Sequence, residues 1–168
     1  MKKILILMIL ILLIALIGGV FWYQNIKKEN QEVHYHAGFI VYLDGKKHDF
    51  SALKYMHIEP CNEEENHQED DQEEKAHLHD QIGDVVHVHR QGALWKDLFQ
   101  NINFKFKDPA SVNGYINGKE EKNILSKEIV PYESVIIIEG DIKNIDLNKY
   151  VSKSHMQEVE EKSESCGS

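Results

Sequence analysis

The chain has 168 residues with 28 acidic against 19 basic side chains, ten histidines and two cysteines. Beyond Lys3 the balance is 28 acidic to 17 basic, which argues against nucleic acid and an anionic membrane surface as partners and suits a domain that gathers cations. Cys61 and Cys166 leave three outcomes open: a disulfide closing a very long loop, two free thiols, or soft ligands for a metal.

Met1-Lys2-Lys3 precedes an uncharged run from Ile4 to Tyr23. Twenty apolar residues at 1.5 Å rise match a hydrocarbon core of about 30 Å, and Phe21-Trp22-Tyr23 falls where an aromatic belt would lie. A signal-peptide core is usually about 7–15 residues and ends at a small-x-small site. Here the run is longer and bulky residues follow Gly18-Gly19. The expectation is an uncleaved transmembrane anchor over residues 1–23, in contact with the membrane through residues 4–23. The positive-inside bias of Lys2 and Lys3 then places the C-terminal domain outside the cytoplasm. A polar linker covers residues 24–32.

The folded part is expected over residues 33–143. Val33, Tyr35, Ala37, Phe39, Val41 and Leu43 alternate with His34, His36, Gly38, Ile40 and Tyr42, the pattern of a strand with its odd face in a core. Asp44-Gly45 is a two-residue hairpin turn, and Lys47 to Ala52 return as a second strand. Residues 62–76 form an acidic loop. From Asn62 to Glu74 it is almost wholly acidic or amide, too polar to bury a core, and expected to be solvated or disordered.

His77-Leu78-His79 and His87-Val88-His89 flank a turn-forming stretch from Asp80 to Asp84. As an antiparallel hairpin they put residue 79 opposite 87 and 77 opposite 89. All four imidazoles then share one face, with Leu78, Val86 and Val88 on the other. A one-residue slip would split the cluster.

Leu94, Trp95, Leu98 and Phe99 have helical spacing and are expected in the core. Phe104 and Phe106 suggest a short strand, Tyr115 to Glu120 a strand entering an Asn-Gly turn, and Ser134 to Glu139 a buried central strand. A polar tail covers residues 144–168, in which Ile145, Leu147, Tyr150, Val151 and Met156 suggest one weakly amphipathic helix. The fold class expected is α+β: the N-terminal transmembrane helix, then a small, mainly antiparallel sheet with one packed helix. Its second half is similar to a β-grasp domain.

Three His-x-His pairs carry the chemistry. Imidazole is the commonest protein ligand for zinc and copper, and a strand presents alternate side chains on one face. The expected metal ligands are His34, His36, His77, His79, His87 and His89, with His57 a spare candidate. His48, His67 and His155 are isolated and expected at the surface. Asp80, Asp84, Asp49 or Glu59 would accept a ring N–H and orient a ligand imidazole. The cofactor expected is a transition metal ion, zinc or copper, for buffering or delivery. A metal-dependent enzyme is a second reading, although the chain lacks a His-Glu-x-x-His helix, a Gly-x-Ser-x-Gly elbow and a phosphate-binding Gly-rich loop. An adhesion or pH-sensing domain with incidental histidines is the third.

The strings HYHAGFIVYLDGKKHDF (34–50), HLHDQIGDVVHVHRQGALWKDLF (77–99), YINGKE (115–120) and VIIIEGD (135–141) resemble a family of small, membrane-anchored, His-rich proteins of archaea and deep-branching bacteria. The likeness spans roughly residues 33–141, its most specific part being the tandem HLHD and HVH. It implies an extracytoplasmic domain with a metal role.

Overall fold

The computed structural model describes residues 4, 8, 12–19, 32–57 and 72–166. Helix α1 is described at residues 4, 8 and 12–19. The expected transmembrane span is corrected here: among the described residues no helix is long and apolar enough to cross a membrane. The remaining positions of that expectation, and linker residues 24–31, lie outside the described residues.

The fold is α+β, built on a mixed six-stranded sheet. The strands are β1 (Glu32–Leu43), β2 (Lys46–Lys47), β3 (Val85–Arg90), β4 (Asn113–Ile116), β5 (Lys119–Glu121) and β6 (Ser134–Glu139). The path runs β2-β1-β6-β4-β5, with β3 also paired to β1. β1 is the trunk, and Gly38 is paired on both sides, with Val85 of β3 and Ser134 of β6. β6 runs parallel to β1 through Gly38↔Ser134 to Leu43↔Glu139, so the expected mainly antiparallel sheet is in fact mixed around its centre. The parallel neighbours lie far apart in sequence, and that connection carries α2 (Trp95–Asn101).

The local turns follow their chemistry. Asp44 and Gly45 both have positive φ, 49° and 77°, the two-residue turn whose twist suits a hairpin. β2 is only two residues long, Lys46–Lys47, shorter than the strand expected over Lys47 to Ala52, and Leu53–Tyr55 forms a 3-10 turn. Asn117-Gly118 makes the second tight turn, between β4 and β5. Phe104 and Phe106 are not in a strand. They pack edge-on to one another and against Phe99, with ring centroids 5.1, 5.8 and 4.8 Å apart.

The odd face of β1 carries the main core. Ala37, Phe39 and Val41 meet Leu78, Val86, Val88, Trp95, Leu98 and Phe99, all buried. α2 starts where the Asp97 carboxylate accepts the Leu94 N–H at 2.8 Å, satisfying one of the orphan donors of a helix start. On the even face a smaller cluster joins Ile40 and Val85 to Val151, Met156 and Val159. The last two lie on α3 (Lys153–Cys166), so a second helix packs on the sheet where one was expected. That helix starts at Lys153, later than Ile145, Leu147 and Tyr150.

The segment entering α3 approaches the sheet closely at Gly38. A Cβ there would lie 2.6 Å from Val151 Cβ and 2.9 Å from Ser134 Oγ, and the Val151 N–H donates to that same Oγ at 3.0 Å. Gly38→Ala is therefore expected to lower stability by about 1–3 kcal/mol, the range for overpacking. A urea titration reads this as a lower midpoint at unchanged slope. An unaltered midpoint would show that the segment entering α3 gives way freely.

Candidate metal centre

Strand periodicity and register build the site. β1 and β3 are antiparallel with Tyr35↔Val88, His36↔His87 and Ala37↔Val86. His36 and His87 are thus directly opposed, on the face away from Val86, Val88 and the main core. On the other side of β3, His77 and His87 exchange both backbone hydrogen bonds at 3.0 Å. Residue 77 therefore faces 87 rather than 89. The offset is two residues, an even number, so the face of every imidazole is as the alternation predicts. The register shifts between Glu32 and Tyr35, and His34, within that stretch, has its ring centroid 5.3 Å from that of His89.

Among the described residues, seven histidines form one continuous group of rings. His87 is its centre, with ring centroids 4.4 Å from His36, 4.5 Å from His34, 4.5 Å from His89, 4.6 Å from His79 and 5.2 Å from His77. His57 joins through His77 at 5.0 Å. Within the group, two sets of three each place one ligand nitrogen per residue within 4.8 Å of the others: His36, His79 and His87, and His34, His87 and His89. His77 belongs to neither set. Its Nδ1 lies 3.4 Å from the Glu73 carbonyl oxygen.

The first set is the more deeply placed. His36 is fully buried, and neither of its ring nitrogens has a hydrogen-bond partner. An imidazole buried with both nitrogens unsatisfied costs free energy in water-free surroundings. A cation on one of those nitrogens would relieve that cost.

Carboxylates surround the group from outside. Asp80 Oδ2 lies 2.5 Å from His79 Nδ1, Glu74 Oε2 3.6 Å from His89 Nδ1, Glu160 Oε1 3.9 Å from His36 Nδ1, and Glu73 Oε2 3.6 Å from His57 Nδ1. In each case the carboxylate faces Nδ1. A proton held there would leave Nε2 with its lone pair, as in carboxylate–histidine–metal arrangements.

Of the acceptors expected from sequence, Asp80 alone among the described residues occupies such a place. Asp84 instead pairs with His155 at 3.2 Å, Asp49 accepts the Ser51 N–H, and Glu59 lies outside the described residues. His48 is half-buried against Phe50 and Phe104 and 3.1 Å from the Tyr55 hydroxyl. His155 is half-buried as well, and His67 lies outside the described residues.

Glu73 and Glu74 come from a segment whose composition suggested solvated chain, and Glu160 from the polar tail. Residues 62–71 of the acidic loop lie outside the described residues, but its end is held firmly. Glu73–Lys75 forms a 3-10 turn, and the Asn101 side-chain amide at the end of α2 donates to the carbonyls of Gln72 at 2.7 Å and Ala76 at 2.8 Å. That clamp sets Glu73 and Glu74 beside the rings. The signal available in sequence was buried Ala76-His77-Leu78 directly following the acidic run. Glu160 is placed by Met156 and Val159, which seat α3.

Burial is the main cause holding three imidazoles below their ordinary value of 6.5. His36 is lowered to about 4 and His77 to about 3, and His87 is also strongly lowered. Glu160 works in the opposite direction on His36, while neighbouring histidines add to the lowering at all three. His36, His77 and His87 are therefore neutral, the form that binds metals, throughout the physiological range.

No family model, curated protein or solved structure matches this chain. The functional conclusion accordingly rests on the residues themselves.

A histidine held neutral in the folded state takes its proton more readily when unfolded. Stability from these groups is complete above about pH 6.5 and is lost as pH falls below it, down to about pH 4 for His36 and about pH 3 for His77. Each contributes up to about 1.4 kcal/mol per pH unit inside its window. Urea midpoints of the metal-free chain, measured from pH 7.5 to 5, are expected to fall steadily once pH drops below about 6.5. A flat profile would contradict the burial of these rings.

Proposed function

We propose that this protein binds a transition metal ion, zinc or copper, through His36, His79 and His87, in a role of metal buffering or delivery. One observation carries the reading: a fully buried imidazole, His36, has no hydrogen-bond partner on either nitrogen and sits in a set of three ligand nitrogens within 4.8 Å of one another. Three imidazoles are a ligand set that zinc accepts with a fourth position open, and one that copper(II) also favours. Carboxylates aimed at His36 and His79 from outside support it, since such partners orient ring nitrogens and raise their basicity. The acidic excess adds a cation-attracting field around the site.

The test uses the full chain without an affinity tag, dialysed against zinc or copper(II) and then against metal-free buffer, beside a His36→Leu variant. The native chain is expected to retain metal, with its unfolding midpoint raised by the bound ion. The variant is expected to lose retention. In excess chelator it should be no less stable than the native chain, because it removes an unsatisfied buried group costing about 1–3 kcal/mol. Absence of metal from the native chain, or equal retention by the variant, would refute the assignment.

A further inference from the structure

His87 differs from the other ligand candidates. His36, His79 and His89 each turn Nδ1 toward a carboxylate. Among the described residues His87 has no carboxylate partner, and both of its nitrogens face imidazoles. Its Nδ1 stands 2.5 Å from His79 Nε2, and its Nε2 stands 3.1 Å from His89 Nε2. His79 belongs to one set of three and His89 to the other, and His87 is the residue common to both.

The in-plane lone pairs of an imidazole diverge, so one ion cannot use both nitrogens of the same ring. Two sets reached through opposite nitrogens of a shared ring are places for two ions. Building on the metal-binding reading above, we propose that the cluster holds a pair of divalent first-row transition ions bridged by the His87 ring, one with His36 and His79 and the other with His34 and His89. The protons balance simply. Neutral His87 gives the lone pair of one nitrogen to the first ion. The second ion takes the place of the remaining ring N–H proton, which leaves to solvent, so His87 becomes an imidazolate carrying one negative charge between two cations. A carboxylate on either nitrogen would block this, and none is there among the described residues.

The two halves have different surroundings. His36 is fully buried, with His79 half-buried beside it, whereas His34 is exposed and His89 half-buried. The inner ion is thereby enclosed and the outer ion open to exchange, an arrangement suited to retaining one cation while passing on another.

Copper(II) is the probe, because two copper(II) centres joined by an imidazolate couple magnetically and lose the intensity of isolated centres in electron paramagnetic resonance. Titration of the full, untagged chain is expected to saturate at two equivalents. The second should diminish the signal that the first produced, and its binding should release a proton into a weakly buffered solution. His34→Ala alters an exposed residue and leaves the inner set whole, so it should bind one equivalent with an uncoupled signal. Two equivalents that remain magnetically independent would overturn the bridge. Saturation at one equivalent, unchanged in His34→Ala, would overturn the second ion and leave the single-ion reading standing. No retained copper or zinc at all would remove both.

Discussion

The antiparallel register of β1 with β3 is the constraint on which the rest of this structure depends. With His36 opposite His87, one face of the pair sends Ala37, Val86 and Val88 into the main core and the other gathers imidazoles. A slip of a single residue would reverse both faces, exposing the valines and burying polar rings against aromatic side chains. The hydrophobic effect therefore fixes which face the histidines occupy, and the ring contacts of His87 with His79 and His89 add to it only once they are there. That matters because the imidazoles, crowded and partly desolvated, repel when charged. The valines supply the ordering force and the histidines are carried into place by alternation.

Around that rigid pair, the chemistry is completed by segments that have little internal reason to be ordered. The turn at Glu73–Lys75 is pinned by Asn101, a residue of a helix that otherwise serves the core. Glu160 is delivered by α3, whose seat is a small apolar cluster around Ile40 and Val85. Both devices use a modest number of packed atoms to hold a carboxylate within ion-pair reach of a ring. The site thus has a stiff inner part made by the sheet and an outer part held by single contacts, and the outer part is where small sequence changes would alter the surroundings of the rings.

Much of this was legible in the residues. Alternation placed His77, His79, His87 and His89 on one face and Leu78, Val86 and Val88 on the other, and set His34 and His36 together on the even face of β1; the Asp44-Gly45 and Asn117-Gly118 turns announced themselves by the backbone angles they require. The His77 register was read two residues away from where it lies, because turn length was inferred from composition; parity protected the conclusion. The parallel pairing of β1 with β6 was hidden, since apolar patterning identifies a buried strand without saying which distant strand it meets. Glu73, Glu74 and Glu160 were hidden because charge-rich segments look alike whether they are solvated or pinned. The N-terminal apolar run shows the opposite failure. A length and hydropathy match suggested a membrane span, and among the described residues no helix meets that requirement.

The distance in sequence between β1 and β6 gives the cluster a history as well as a geometry. β1 and β3 are separated by about forty residues, whereas the strand that closes β1's other edge comes some ninety residues after it and α3 later still. Non-local pairings of that kind are slow to form, so during synthesis His36 and His87 can meet while half of the sheet is still missing. At that stage the rings lack the cover of α3 and are open to ions. A cation captured then would tie β1 to β3 before the core is complete, because metal affinity gained on ordering is returned as folding free energy. The histidines would in that case be an early long-range contact of the nascent chain, and the helix that reaches over His36 would close behind a cargo already aboard.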